Sequence, residues 1–166
     1  MSGVPSAQHE LITSLRRYTL FIKERNAALV TLFRTSEQVR ARLHQDPSPD
    51  IDALLDQRER DCMRFAGVAA KENKTDAFAF ESLRQNADSA SGEIGALTRS
   101  AVELQADYDA LAQQILLCQS ECEAIFRERL EATANALRES VQRRKLDAAY
   151  GPACKRRPPV FLDKQQ

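Results

Sequence analysis

The sequence has little of what makes turns and little bulky aromatic surface. Its 166 residues include five glycines, six prolines and no tryptophan, and aromatic side chains make up only 6%. A sheet protein of this length needs many turns, and turns use glycine, asparagine and proline in quantity. Because these residues are scarce and helix-favouring Ala, Leu, Glu, Gln and Arg dominate, the sequence predicts an all-α protein.

Long apolar runs are absent as well. The first 15 residues lack the apolar core of a secretory signal, and no stretch approaches the roughly 18 apolar residues of a membrane-spanning helix. Three of the four cysteines lie inside helical patterns, as free thiols do when they serve as small core residues. We therefore expect a cytoplasmic protein that does not insert into a membrane.

Neither sign of charge is in excess over the whole chain, which has 24 basic and 24 acidic side chains. No global field attracts nucleic acid, so we expect no nucleic-acid partner. The distribution is uneven, because residues 93–139 carry four basic and nine acidic groups whereas residues 140–166 carry seven and two. This pattern indicates internal complementarity or a tail that meets an acidic partner.

Groups that could carry catalysis are few. The two histidines, His9 and His44, are not next to a Ser or Cys in a nucleophile setting, and neither a glycine-rich phosphate loop nor a Glu-x-x-His pair occurs. We expect no enzymatic activity and no cofactor. Cys118 and Cys122, one helical turn apart, could ligate a metal in a helical-bundle enzyme. Because both occupy core positions without a fitting third ligand, a core role is favoured and no metal is expected.

What the sequence does contain is apolar stripes at helical spacing. In the first, ten positions from Leu11 to Leu43 follow alternating steps of four and three residues, and only Arg25 and Ser36 among them are polar. Prolines at 47 and 49 end this helix. The polar stretches 71–76 and 89–92 are candidate breaks. The sequence predicts helices over roughly 6–45, 50–72, 76–90 and 93–146, with Ser6 and Asp50 as candidate caps of the first two.

The strongest pattern lies in the last helix, where ten successive positions from Ile94 to Ile125 are apolar at four- and three-residue steps. After Cys122 the stripe shifts by an extra four-residue step. It then continues through Phe126, Leu130, Leu137 and Val141. A helix of this length needs partners to bury its apolar side. We predict an elongated antiparallel helical bundle or coiled-coil hairpin of three to four segments, one domain over 1–147, followed by a flexible basic tail over 148–166.

Two stretches of this layout resemble the FlgN family of flagellar export chaperones, which serve the hook–filament junction proteins. They are the segment LLDQRER at 54–60 and the segment LDAAYGP at 146–152, where a long last helix runs into Tyr-Gly-Pro. The resemblance implies a cytoplasmic helical chaperone that binds the amphipathic C-terminal helices of those proteins and delivers them to the export gate.

The same resemblance implies roles for particular residues. The stripe formed by Phe126, Leu130, Leu137 and Val141 would bind the cargo helix, and Tyr150 would dock on the cytoplasmic domain of the export gate. A short basic run in the tail would steer that encounter electrostatically. It consists of Lys155, Arg156 and Arg157.

A second hypothesis remains open beside the chaperone. The uninterrupted stripe over 94–125 would also suit a structural or adaptor coiled-coil protein that self-associates, for instance as a homodimer. The sequence does not decide between these hypotheses, nor does it identify the cargo or the oligomeric state.

Overall fold

The computed structural model describes residues 7–47, 49–87 and 90–150, and no strand occurs among them. The predicted all-α class is therefore confirmed. The described residues form four helices, α1 (Ala7–Gln45), α2 (Asp52–Ala69), α3 (Lys74–Arg84) and α4 (Gly92–Tyr150). In this described part, no helix combines the length and the apolar composition needed to cross a membrane.

Several helix ends differ from those predicted. Helix α2 is shorter at both ends, and its N-cap is Ile51, which makes no capping side-chain bond, so the proposed cap at Asp50 is wrong. The polar stretch after α2 does break the helix, because the Asn73 side chain accepts hydrogen bonds from the backbone N–H groups of Thr75 (2.9 Å) and Asp76 (3.4 Å). That bonding begins α3 two residues earlier than expected. Ser6 lies outside the described residues.

Helix α4 starts and ends outside its predicted bounds of 93–146. It begins at Gly92, whose φ of +66° lies in the left-handed region that suits glycine. Position 95 requires glycine for a steric reason, because a Cβ on this residue would overlap the Ala90 carbonyl. At the other end the helix runs through Tyr150, so residues 148–150 are helical although they were assigned to the tail.

By packing, the chain divides into two compact units, Met1–Cys122 and Glu123–Gln166. The division follows directly after Cys122, where the apolar stripe of the sequence shifts round the helix. It does not coincide with the domain end that the sequence suggested at residue 147.

In the first unit α2 runs antiparallel to α1, whereas the first part of α4 runs parallel to it. For α2 the side-chain pairs give this direction, because Thr35 meets Asp61 and Ser36 meets Arg58, so partner numbers fall as α1 numbers rise. Helix α3 packs nearer the start of α1, where Arg17 meets Asp76. Between α1 and α4 the numbers rise together, from the ion pair of Arg16 with Glu93 to that of Arg40 with Glu121. The antiparallel expectation therefore holds for α2 and fails for α1 with α4.

The core of this unit has two apolar clusters that join α1 to the other helices. The first is centred on Leu15, Tyr18 and Ile22 of α1, with Phe80 of α3 stacked on Tyr18 at 4.9 Å between ring centroids. The second contains Leu29 and Leu32 of α1, Ile115 of α4, and partly buried Cys62 and Phe65 of α2. Burial of these stripes at about 25 cal/mol per Å² is the main force that holds the helices together.

Buried polar groups add specific pairings to this apolar core. Asp61 of α2 is buried and accepts hydrogen bonds from Thr35 Oγ1 (2.7 Å) and Gln57 Nε2 (3.0 Å). Asp76 of α3 is buried and accepts two bonds from the Arg17 guanidinium, at 2.9 and 2.7 Å. This pairing with Arg17 holds the pKa of the Asp76 carboxyl below its usual range. Because a carboxylate without donors is costly to bury, these bonds fix the positions of α2 and α3 along α1.

Candidate functional site

The long apolar stripe of α4 has different surroundings in the two units. In the first unit it belongs to the core: Ala101 and Ile115 are buried, and Leu104, Tyr108 and Leu111 pack against the two clusters. Among residues 123–150 of the second unit, none is buried. The part of the stripe that the resemblance assigns to cargo lies in this second unit.

The four candidate cargo-binding residues, here called the distal stripe, are all exposed. Phe126 and Val141 are each 42% exposed, Leu130 is 72% exposed and Leu137 is 65% exposed. At about 100° of rotation per residue, the four side chains fall within roughly 60° of one another on the helix. They therefore form one continuous face, the pattern that an amphipathic partner helix can cover.

Basic side chains flank the distal stripe on one side. Arg127, Arg138 and Lys145 lie roughly 70–90° from its centre by the same helical rotation. All three are exposed. Glu128 and Glu139 lie on the far side of the helix. An apolar face bordered by positive charge best suits a helix whose apolar face is bordered by acidic side chains.

The candidate gate-docking residue, Tyr150, is the last residue of α4 and is 71% exposed. Leu146 precedes it by one turn and is 58% exposed, so the two share a face. Helical rotation places this pair on the opposite side of the helix from the distal stripe. Sequence reasoning missed Leu146, although its four-residue separation from Tyr150 was the available signal. The candidate steering residues Lys155, Arg156 and Arg157 lie outside the described residues.

Cys118 and Cys122 do not have the surroundings of a metal or thiolate site. Cys118 is 1% exposed and its thiol donates to the Ser36 carbonyl oxygen at 3.3 Å. Burial raises the pKa of Cys118 to about 11 and also raises the pKa of Cys122, so both thiols are protonated at neutral pH. Over the described ranges, no group of three or more His, Cys, Asp or Glu side chains could hold a metal ion.

The alternative site, the stripe over 94–125, is already used inside the first unit as far as Cys122. Its residues pack against side chains of α1, α2 and α3, among them Tyr18, Phe80 and Phe65. Ring stacking of Phe65 on Tyr108, with centroids 6.4 Å apart, is one such contact. Self-association through this stripe would therefore require these helices to separate first.

The chain was compared with protein-family models, curated proteins and solved structures. No protein-family model matches the chain, and no curated protein and no solved structure matches it.

Proposed function

We propose that this chain is a cytoplasmic export chaperone of the FlgN kind. In this proposal its distal stripe binds the amphipathic C-terminal helix of a flagellar hook–filament junction protein, and Tyr150 docks the complex on the export gate. No catalytic step is assigned to it. The observation that carries the proposal is the exposure of four large apolar side chains on one face of residues 126–141.

An exposed face of this kind costs solubility unless a partner covers it, which supports a binding role over a purely structural one. Its chemistry also fits the cargo class. The C-terminal helix of a junction protein is unpaired before assembly, and its apolar side would aggregate if it remained uncovered. An apolar stripe of about four turns can cover such a helix and keep it from aggregating.

The size of the distal stripe suits a reversible complex. Full burial of four large apolar side chains, at about 1.5–3 kcal/mol each, supplies on the order of 6–12 kcal/mol. Association itself costs an estimated 4–15 kcal/mol, so only part of that gain appears as affinity. A chaperone must release its cargo at the gate, and a modest net affinity permits this.

Titration of the purified chain with a synthetic junction-protein C-terminal helix tests the proposal. We expect Leu137→Asp or Val141→Asp to weaken binding by at least about 2 kcal/mol, roughly 30-fold, because each places a charge in the apolar contact. The matched control is Leu146→Asp, which changes an equally large exposed leucine on the opposite side of the same helix. Equal loss with Leu146→Asp, or no loss with Leu137→Asp, would refute the cargo assignment.

The gate-docking role needs a separate measurement. Tyr150→Ala should abolish binding of the chaperone to the isolated cytoplasmic domain of the export gate and leave cargo affinity unchanged. Loss of cargo affinity in this variant would mean that Tyr150 belongs to the cargo site instead.

Sedimentation of the chain without cargo addresses the alternative of a self-associating coiled coil. In the chaperone proposal, the stripe over 94–122 packs only against helices of its own chain. Substitutions at its buried positions should then unfold the chain and not merely dissociate a dimer. A stable dimer that Ile115→Ala converts to a folded monomer would favour the structural protein.

A further inference from the structure

A groove runs between α1 and the first part of α4, within the first unit. Two adjoining depressions of about 310 and 260 Å³ form it, and Gln114 lines both. All of the lining side chains come from α1 and α4. On α1 they are Asn26, Val30, Phe33, Glu37 and Arg40, and on α4 they include Asp107, Ala110, Leu117 and Glu121.

The spacing of these residues makes the groove suitable for a helix. On both walls the lining positions repeat at steps of three and four residues, so each wall is one face of its helix. From Asn26 to Arg40 the groove follows roughly 20 Å of α1 at 1.5 Å per residue, or about four turns. Two parallel helices side by side leave such a groove, and packing a further helix into it is the usual way in which a bundle grows.

The walls of this groove carry more negative than positive charge. Three carboxylates line it, Glu37, Asp107 and Glu121, against one guanidinium. That guanidinium, on Arg40, is already bonded to Glu37 at 2.7 Å and to Glu121 at 3.0 Å. Asp107 makes no ion pair with any residue of the described ranges. Nucleic acids and anionic lipid surfaces would be repelled, whereas a basic polypeptide would be attracted.

A buried acceptor in the groove also lacks a partner. Asn26 is 8% exposed, and its Nδ2 donates to the Leu104 carbonyl oxygen at 2.7 Å, which fixes the orientation of the amide. Its Oδ1 accepts no hydrogen bond from the described part of the chain. Because this oxygen is itself buried, an occupant of the groove would meet the apolar and charged side chains of the walls and not this acceptor.

We propose that the groove between α1 and α4 docks a basic amphipathic helix of about four turns from a partner protein. Its apolar side chains would lie on Val30, Phe33 and Leu117, and a flanking lysine or arginine would pair with Asp107. This inference does not rest on the proposed function, because the groove uses residues 26–121 and the distal stripe uses residues 126–141.

The test uses fluorescence anisotropy with the full chain and two labelled synthetic helices of about 16 residues. Both helices carry the same leucine and alanine face, and lysines flank this face in one helix while glutamates flank it in the other. We expect the lysine helix to bind at least about tenfold more tightly at low salt, and the difference to shrink as salt screens the charges. Equal affinity of the two helices, or no binding of either, would overturn the proposal.

Matched variants then locate the binding. Leu117→Asp should abolish binding of the lysine helix, whereas Leu116→Asp should not, since the two leucines are 66% and 65% exposed and only Leu117 lines the groove. Circular dichroism would check that both variants remain folded. Asp107→Lys leaves two carboxylates against two cations on the walls, so it should abolish the preference for the lysine helix. Glu59→Lys on α2, an exposed site outside the groove, makes the same charge change and should leave the preference intact.

Two outcomes would assign the binding elsewhere. If Leu137→Asp, and not Leu117→Asp, removes binding of the lysine helix, the peptide occupies the distal stripe and the groove proposal fails while the proposed function stands. If sedimentation shows a dimer of the free chain that Leu117→Asp dissociates, a second copy covers the groove and the partner helix is refuted.

Discussion

The two parts of α4, residues 92–122 and residues 123–150, are made of similar residues and have opposite environments. Both carry apolar side chains at four- and three-residue steps. In the first part Ala101, Ile115 and Cys118 are buried, whereas in the second part no residue is buried and Leu130 is 72% exposed. An apolar stripe therefore shows that a helix needs a partner, and only packing tells whether the partner belongs to the same chain.

The contrast also separates two kinds of apolar stripe by what a substitution in each should change. A stripe covered by α1, α2 and α3 stabilises the fold, while a stripe without a cover inside its unit is available for recognition. Mutations in the two parts should therefore affect different measurements, stability in the first and binding in the second.

The largest expected effect comes from Ile115→Asp in the first part. Ile115 is 7% exposed and packs on Leu29 and Leu32, so a carboxylate there would be buried without a donor. We expect a loss of about 3–5 kcal/mol in the free energy of unfolding, from lost packing and an unpaired charge. Urea denaturation followed by circular dichroism measures it. Leu116→Asp, one residue along and 65% exposed, is the control and should cost little; similar losses in both variants would contradict the assigned burial.

A smaller effect is expected from Asp76→Asn, which weakens the attachment of α3 to α1. The pairing with Arg17 lowers the pKa of Asp76, so its stabilising contribution is complete above the unfolded pKa of about 3.9 and disappears as pH falls through the lower folded value. At pH 7 the variant should unfold at a lower urea concentration than the parent chain. Because Arg17 is more than half exposed, this loss should be well below that of Ile115→Asp.

The pH profile provides the control for this variant. Between neutral pH and about pH 4 the difference between parent and Asp76→Asn should stay constant, and it should narrow at lower pH as Asp76 becomes protonated in the parent. A difference that persists unchanged in acid would mean that the ion pair is not its source.

The smallest effect on stability is expected from Leu137→Asp in the second part. Leu137 is 65% exposed, so its replacement removes little packing, and we expect a change within about 0.5 kcal/mol. The same urea titration measures it beside Ile115→Asp. A loss of several kcal/mol would show that the distal stripe is part of a core and would remove the basis of the proposed cargo site.

Much of the helical layout could be predicted from the sequence. Even Arg25 and Ser36, the two polar residues of the first stripe, are buried, because they lie on the same face of α1 as its apolar residues. What the sequence did not indicate is how they are accommodated: the Arg25 guanidinium lies 3.9 Å from the centre of the Tyr108 ring and donates to Gln105 at 2.8 Å. Those partners are about 80 residues away along the chain, so no local pattern contains them.

The candidate site was predictable only in part. The residues of the distal stripe follow from periodicity, and their placement on one face follows from the helical repeat. Leu146, which shares a face with Tyr150, and the groove between α1 and α4 were both missed. The groove could not be read from the sequence because it depends on α1 and α4 lying side by side in parallel, whereas the sequence suggested antiparallel neighbours.

By itself the sequence determined that this chain is helical, roughly where its four helices lie, and which face of each helix is apolar, because local propensity and the 3.6-residue repeat act within a few turns. Tertiary structure alone decided which of those faces are covered. That decision depends on contacts between residues far apart in the chain, and it is why the stripe before Cys122 is core while the stripe after it is exposed.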